Sequence, residues 1–431
     1  MGDPARIVVL GSGFAGIRCA RDIAGELGDG ADVLLVSEDN FVLFTPMLPQ
    51  VASGMIETRH IVVPVRSACG GARFREARIR GIDPRKKTVS LWGRAGPVRY
   101  DYLVVALGSE TDFFGMADVE ANAYTMKTLS DAVALRNRAI DMLEEAENDP
   151  GARAELLCFV VAGGGFAGVE TAGEMLDFLL DASSHYPSVR REDIRVVVLE
   201  AAASILPAFE PGLAEFARRQ MEGRGIKIRT GAAVAGFDGS EVRITGEERG
   251  VRSRTLVWTA GVTPVNTIKR SLFATERGRI VVDGNLGVPG FPGVFAVGDC
   301  AACTDPATGR PHPPTAQVAI AQAGTAARNL VALVRGGAQE EFSYRSRGQM
   351  AVIGKRAGIA TVLGANISGF WAWVIWRSVY LSKMPSLERR IRVMLDWGIG
   401  LFFGRDIARL RMPRRQVEKE YRMLDEIDGL W

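Results

Sequence analysis

Apolar runs of strand length recur along the chain, and two stretches arrange them in the same way. Residues 6 to 38 open with the run RIVVL, pass through the glycine-rich turn GSGFAG into IRCARDIAGEL, whose apolar positions recur at helical spacing, and close on ADVLLVSE. Residues 158 to 200 repeat the arrangement: CFVVA, then GGGFAG, then VETAGEMLDFL, and, after an insertion around Ser183 to Glu192, the run IRVVVLE ending at Glu200. Short continuous apolar runs joined by a helix-period segment predict parallel strands buried on both faces, with a crossover helix between them. The runs Tyr102 to Ala106 and Thr255 to Thr259 predict a returning strand for each unit, and GFPGVFAVGDCAA (Gly290 to Ala302) predicts one more strand just ahead of Gly298 and Asp299. The expected fold class is α/β, with two doubly wound, Rossmann-like units.

The turns carry the candidate chemistry. Gly11 permits a tight turn, Gly13 lets a pyrophosphate approach the backbone, and Gly16 lets the helix pack closely on the strand; Gly163, Gly165 and Gly168 take the same roles in the second unit. The phosphates would rest on helix N-termini opened by Phe14-Ala15 and Phe166-Ala167, where free N–H groups and about half a positive charge favour anions. Each unit should also offer a carboxylate at the tip of its second strand to a ribose 2′-hydroxyl. In the second unit that is Glu200, whose charge repels a 2′-phosphate and predicts NADH rather than NADPH. In the first the tip reads Ser37-Glu38-Asp39; Glu38 is the expected contact, and Ser37, one register away, is the alternative. Gly108 and Gly261 follow the returning strands. Asp299 is placed to bind the ribityl chain of FAD.

From Gly369 the chain changes character. The stretch GFWAWVIWRSVYLSKMPSLERRIRVMLDWGIGLFFGRDIARLRMPRRQ contains Trp371, Trp373, Trp376 and Trp397, and with Trp431 five of the seven tryptophans fall after residue 370. Cations from Arg377 and Lys383 to Arg411, Arg414 and Arg415 are interleaved with them, and Pro385 separates two expected helices, Trp371 to Lys383 and Leu387 to Phe403. Aromatic and aliphatic faces flanked by cations suit helices lying in a membrane interface, buried roughly 5 to 10 Å, with each cation near an anionic surface adding on the order of 1 kcal/mol. A face that packs on a second copy of the chain is the alternative.

Composition narrows the classes. With 431 residues, 47% hydrophobic and 24% charged, the chain can bury several cores, and a net charge of +3 argues against nucleic acid as a partner. No cleavable leader and no run of the roughly 20 apolar residues needed to span a bilayer are expected. Five cysteines do not make a disulfide scaffold and fit a reducing cytosol. Cys300 and Cys303 have redox or metal spacing, but no second pair completes a zinc site, and they read as packing cysteines. His60, His185 and His312 lie far apart in sequence, so no metal is expected.

Taken together, LFTPMLPQVASG (Leu43 to Gly54), GGGFAGVETAGE (Gly163 to Glu174), VGDCA (Val297 to Ala301), PPTAQVAIAQAG (Pro313 to Gly324) and RVMLDWGIGLFFGRDIARL (Arg392 to Leu410) resemble the type II, non-proton-pumping NADH:quinone oxidoreductases, within the two-dinucleotide-binding flavoproteins. The resemblance spans nearly the whole chain. It implies FAD on Gly11, Gly13 and Gly16 and NADH on Gly163, Gly165, Gly168 and Glu200, with Thr45 and Pro46 in a loop against the flavin. It further implies that Gln317 and Gln322 belong to a quinone site and that Glu170 handles protons during quinone reduction. The family often has a pair of glutamines after the AQ element; here Ala321 takes the first place. Glu170 could instead complement a helix macrodipole, and Gln317 could be a helix cap.

The implied organisation is an FAD-binding domain over residues 1–115 and 265–345, an NADH-binding domain over 116–264, and a membrane-associating region over 346–431. The protein would sit on the cytoplasmic face of the inner membrane, as a homodimer. A sulfide:quinone oxidoreductase-like enzyme, a soluble NADH-dependent reductase of a small redox protein and a slow redox sensor are the competing readings.

Overall fold

A computed structural model describes residues 4–93, 96–306, 309–346 and 348–409. Arg411, Arg414, Arg415 and Trp431, counted above in the C-terminal segment, lie outside the described residues. The chain begins with β1 (Ala5–Leu10), α1 (Phe14–Leu27), β2 (Ala31–Ser37), β3 (Arg73–Glu76) and β4 (Tyr102–Val105). A second series follows: β5 (Cys158–Ala162), α2 (Phe166–Ala182), β6 (Arg195–Glu200), β7 (Ile226–Thr230) and β8 (Thr255–Trp258). Then come β9 (Val294–Ala296), α3 (Ala316–Arg335), β10 (Gly348–Gly354), β11 (Ala357–Val362), β12 (Ala365–Gly369), α4 (Phe370–Lys383) and α5 (Leu387–Ile399).

The first sheet has the order β9-β4-β1-β2-β3, with every pair parallel. The second repeats it, with the short edge strand Tyr124–Thr125 followed by β8, β5, β6 and β7, again all parallel. Both faces of the first sheet are covered: Ile7, Val9 and Leu35 pack under α1 and α3, and Val8, Leu10, Leu34 and Val36 pack into a separate core on the other side. That double burial is why these strands are continuous apolar runs rather than alternating ones. An antiparallel pair, Ser109–Thr111 with Val262–Pro264, links the two sheets.

The expected C-terminal segment needs two corrections. Residues 348–369, assigned to the membrane-associating region with no element expected before Trp371, form a three-stranded antiparallel sheet, β10-β11-β12. It packs on α2: a Cβ at Gly173 would stand 3.1 Å from the backbone of Ile353 and Gly354. The second helix also ends at Ile399, not Phe403. Gly398, Gly400 and Gly404 weaken helix propagation there, and Leu401 and Phe402 continue only as i→i+3 turns. Trp376, Val393 and Trp397 of α4 and α5 are buried in the same core as Phe44, Met47 and Leu48.

Candidate active site

The two glycine turns are copies of one another. Gly11 and Gly163 adopt φ of +95° and +107°, and a Cβ at Gly16 or Gly168 would lie 1.8 or 1.9 Å from the carbonyl oxygen of Gly11 or Gly163. No other residue fits these positions. Gly13 and Gly165, the N-caps of α1 and α2, are exposed, make no side-chain cap hydrogen bond, and have open space where a Cβ would stand. Each turn therefore presents free helix N–H groups to open space that an anion can enter, and the residues fit two pyrophosphates.

The matching turns settle the register of the strand tips. Gly11 N–H donates to Val36 O and Gly163 N–H to Leu199 O, both at 2.8 Å, so the residue in the place of Glu200 is Ser37. Glu200 accepts from Gly164 N–H at 2.5 Å and Ala202 N–H at 2.7 Å. Ser37 is buried, with its hydroxyl 2.9 Å from that of Ser12. Glu38 stands one residue past the end of β2, half-exposed and 3.8 Å from Arg78. It is not the structural counterpart of Glu200.

Across the first sheet, Gly298 (φ +76°) and Asp299 follow β9. Ser109 Oγ donates to Asp299 Oδ2 at 2.7 Å, next to Gly108 with φ +69°. Gln322 does not lie open for a quinone: it is 1% exposed, and its Oε1 accepts from Gly298 N–H at 2.7 Å, bracing the loop that carries Asp299. Thr45 and Pro46 occupy a tight turn, Thr45 exposed, before the short helix Leu48–Ala52. Gly261 follows β8 and seats the ring of Phe114, since a Cβ there would lie 2.5 Å from it.

Glu170 is the strongest electrostatic feature. It lies in the second turn of α2, 8% exposed, and its Oε1 accepts from Val352 N–H at 3.0 Å and Trp376 Nε1–H at 3.1 Å. Burial raises its carboxyl to about 8, and nearby Glu174 adds to the rise against the pull of those two hydrogen bonds. It is thus tied to β10 and α4 rather than merely complementing its own helix. The Trp376 ring lies tilted at 4.4 Å from Tyr380, which meets Phe44 at 6.1 Å, and Phe44 meets Phe14 at 5.8 Å. An aromatic series therefore runs from the first glycine turn to the C-terminal helices. Gln317, in the first turn of α3, donates to Gly348 O and accepts from Tyr344 Oη, both at 3.3 Å.

The C-terminal helices are pinned over this region by buried polar contacts. Trp397 Nε1–H donates to Gln50 Oε1 at 2.9 Å, and Asp396 meets His60 Nδ1 at 2.6 Å. Arg405, buried, reaches Glu174 at 3.1 Å, and Ser53 Oγ donates to the same carboxylate at 2.7 Å. Sequence reasoning did not find Trp376, Tyr380 or Arg405 as neighbours of the site; the density of tryptophan after residue 370 was the one signal pointing there. All five cysteines are buried and free, and burial lifts the Cys300 and Cys303 thiols to about 11. Neither is a ready thiolate.

Residues 5–323 match the pyridine nucleotide-disulphide oxidoreductase family, and residues 346–406 match the NDH2 C-terminal domain. A type II NADH:quinone oxidoreductase of Mycobacterium tuberculosis is 32% identical over 91% of this chain and 87% of its own length. The chain belongs to the type II NADH:quinone oxidoreductases. A probable NADH dehydrogenase of Dictyostelium discoideum is likewise 32% identical, over 94% of this chain and 91% of its own. The NDH2 of Plasmodium falciparum in complex with NADH shares the fold, with a TM-score of 0.86 and 21% identity over 94% of this chain and 99% of that one. The sulfide:quinone oxidoreductase of Aquifex aeolicus is also similar in fold, with a TM-score of 0.70 and 17% identity over 93% and 95%. Membership in the type II family agrees with the doubled turns and with the C-terminal helices folded onto α2.

Proposed function

We propose that this chain oxidises NADH held on the second glycine turn, through FAD held on the first, and reduces a quinone next to Glu170 and Gln317. FAD, when bound, supplies the hydride acceptor and the two-electron donor; the protein orients it and excludes side reactions. Gly11, Gly13, Gly16, Gly108 and Asp299 hold FAD, with Ser37 rather than Glu38 at the ribose, and Thr45-Pro46 forms a wall of the flavin pocket. Gly163, Gly165, Gly168, Glu200 and Gly261 hold NADH. We read residues 1–115 and 265–345 as the FAD-binding unit and 116–264 as the NADH-binding unit.

The observation that carries the quinone half is the buried carboxyl of Glu170, protonated at neutral pH because burial raises it to about 8 and wired by a hydrogen bond to α4. A group of this kind can release a proton to a quinone that is being reduced. The sulfide reading fits less well, because no exposed cysteine stands near either turn.

The membrane reading rests on α5. Val393 and Trp397 face the core, while Leu387, Ile391, Met394, Leu395 and Ile399 form an exposed stripe on the other face, continued by Leu401, Phe402 and Phe403. A contiguous apolar face of this kind is covered by a membrane or a partner. The interleaved arginines favour an anionic bilayer surface, which is also where a long-tailed quinone resides. No helix of the described residues is long and apolar enough to cross a membrane, and a peripheral contact through this face is the reading we put forward. The cytoplasmic face of the inner membrane and a homodimer complete the proposal. Stopped-flow separation of the half-reactions in Gln317→Ala tests it: bleaching of the flavin by NADH should keep its rate while reoxidation by a short-chain quinone slows at least tenfold. An unchanged reoxidation rate removes Gln317 from the quinone site.

A further inference from the structure

Lys127 stands where the glycine turns would not direct attention. It lies between the edge strand Tyr124–Thr125 of the second sheet and the helix Leu129–Asn148. Its backbone is anchored by a capping box: Asp131 accepts from the N–H groups of Lys127 at 3.0 Å and Thr128 at 2.8 Å, and Thr128 Oγ1 accepts from Asp131 N–H at 3.1 Å. From this fixed base the side chain leaves its own sheet and crosses to the first. Lys127 Nζ donates to Ser109 Oγ at 2.8 Å and stands 3.9 Å from Asp299 Oδ2.

The chemistry of the donors orders this trio. An ammonium only donates, so the Ser109 hydroxyl accepts from Lys127 and must give its single proton to Asp299. The three groups lie beyond the carboxyl ends of β4 and β9, in the crevice where open parallel sheets bind their ligands. Burial works against the charge on Lys127, and the Asp299 carboxylate sustains it. A partly buried cation has a larger field than one in open water.

We propose that Lys127 is a positioning residue of the flavin site: it orients Ser109 and Asp299 toward the ribityl chain and sets a positive charge beside the bound FAD, raising its affinity for hydride. This rests on the assignment of FAD to the first glycine turn. Hydride transfer from NADH to a flavin held here would release NAD⁺ and place one added negative charge beside Lys127, with no other reactant consumed. A fixed ammonium favours the side of that equilibrium on which the charge has appeared.

The test compares the wild-type holoenzyme with Lys127→Gln and Lys127→Arg, measuring bound FAD from the heat-released flavin and the two-electron midpoint by anaerobic dye-coupled reduction. Lys127→Gln should keep its FAD but bind hydride about tenfold less tightly, a midpoint about 30 mV more negative, while Lys127→Arg stays within about threefold of wild type. An unchanged midpoint in Lys127→Gln overturns the proposal. So do equal shifts in both variants, which would show that geometry and not charge matters, and loss of FAD from Lys127→Gln alone, which would make the lysine a structural tie. If the wild type itself takes up no FAD, it is the flavin assignment that fails.

Discussion

Replacing Glu170 by glutamine removes one titration and keeps the shape of the side chain. Glutamine Oε1 can still accept from Val352 N–H and Trp376 Nε1–H, so the fold keeps its contacts. In the unfolded chain the carboxyl titrates near 4.5, and in the folded protein it is pushed up to about 8. Between these two values the unfolded chain has lost the proton that the folded one keeps. The wild type therefore loses stability as pH rises from 4.5 through 8 and levels off above it. At about 1.4 kcal/mol per pKa unit the loss is at most ~5 kcal/mol. Glu170→Gln lacks this component. Melting followed by flavin release should show the variant gaining on the wild type by several degrees between pH 5 and pH 8 and holding that lead at pH 9. Reoxidation by quinone should fall by about 10²-fold, the contribution of a positioned proton donor, with bleaching by NADH intact. Parallel melting curves across this range would refute the buried, protonated carboxyl.

Two further outcomes follow from the same structure. Glu200→Gln leaves one acceptor oxygen where Gly164 N–H and Ala202 N–H each now have their own, and it removes the charge that repels a 2′-phosphate, so the ratio of kcat/KM for NADH over NADPH should fall about tenfold or more; an unchanged ratio frees Glu200 of that role. Ile391→Asp combined with Leu395→Asp changes residues already 45% and 59% exposed, so the melting point should hold. Co-sedimentation with anionic vesicles should drop at least tenfold, given ~1 to 2 kcal/mol for each buried apolar side chain. Undiminished sedimentation would point to a different membrane face.

Where the sequence was legible, a local rule bound each residue. Gly11, Gly16, Gly163 and Gly168 were readable because a positive φ or a carbonyl within 2 Å of a would-be Cβ admits nothing else. The strands were readable because burial on both faces leaves an unbroken apolar run. The tip of β2 stayed open between Glu38 and Ser37 because the acidic residues follow Ser37 directly, and the hydrogen bond from Gly11 to Val36 fixes the register that puts Ser37 in the place of Glu200. Gln322 was assigned to the quinone by position in its motif, whereas the backbone N–H it braces lies 24 residues away in sequence. The sheet over residues 348–369 was hidden by the aromatic signal that follows it. Lys127, Trp376 and Arg405 acquire their partners through contacts between distant segments, which no local pattern encodes.

The proposed turnover requires two dinucleotides held so that reducing equivalents pass from one to the other and on to a quinone. An anaerobic absorption record of the purified protein addresses this directly. A flavin band near one FAD per chain should bleach on addition of one equivalent of NADH and return when a short-chain quinone is added. A protein that holds no flavin, or whose band bleaches and then fails to recover with quinone, would contradict it.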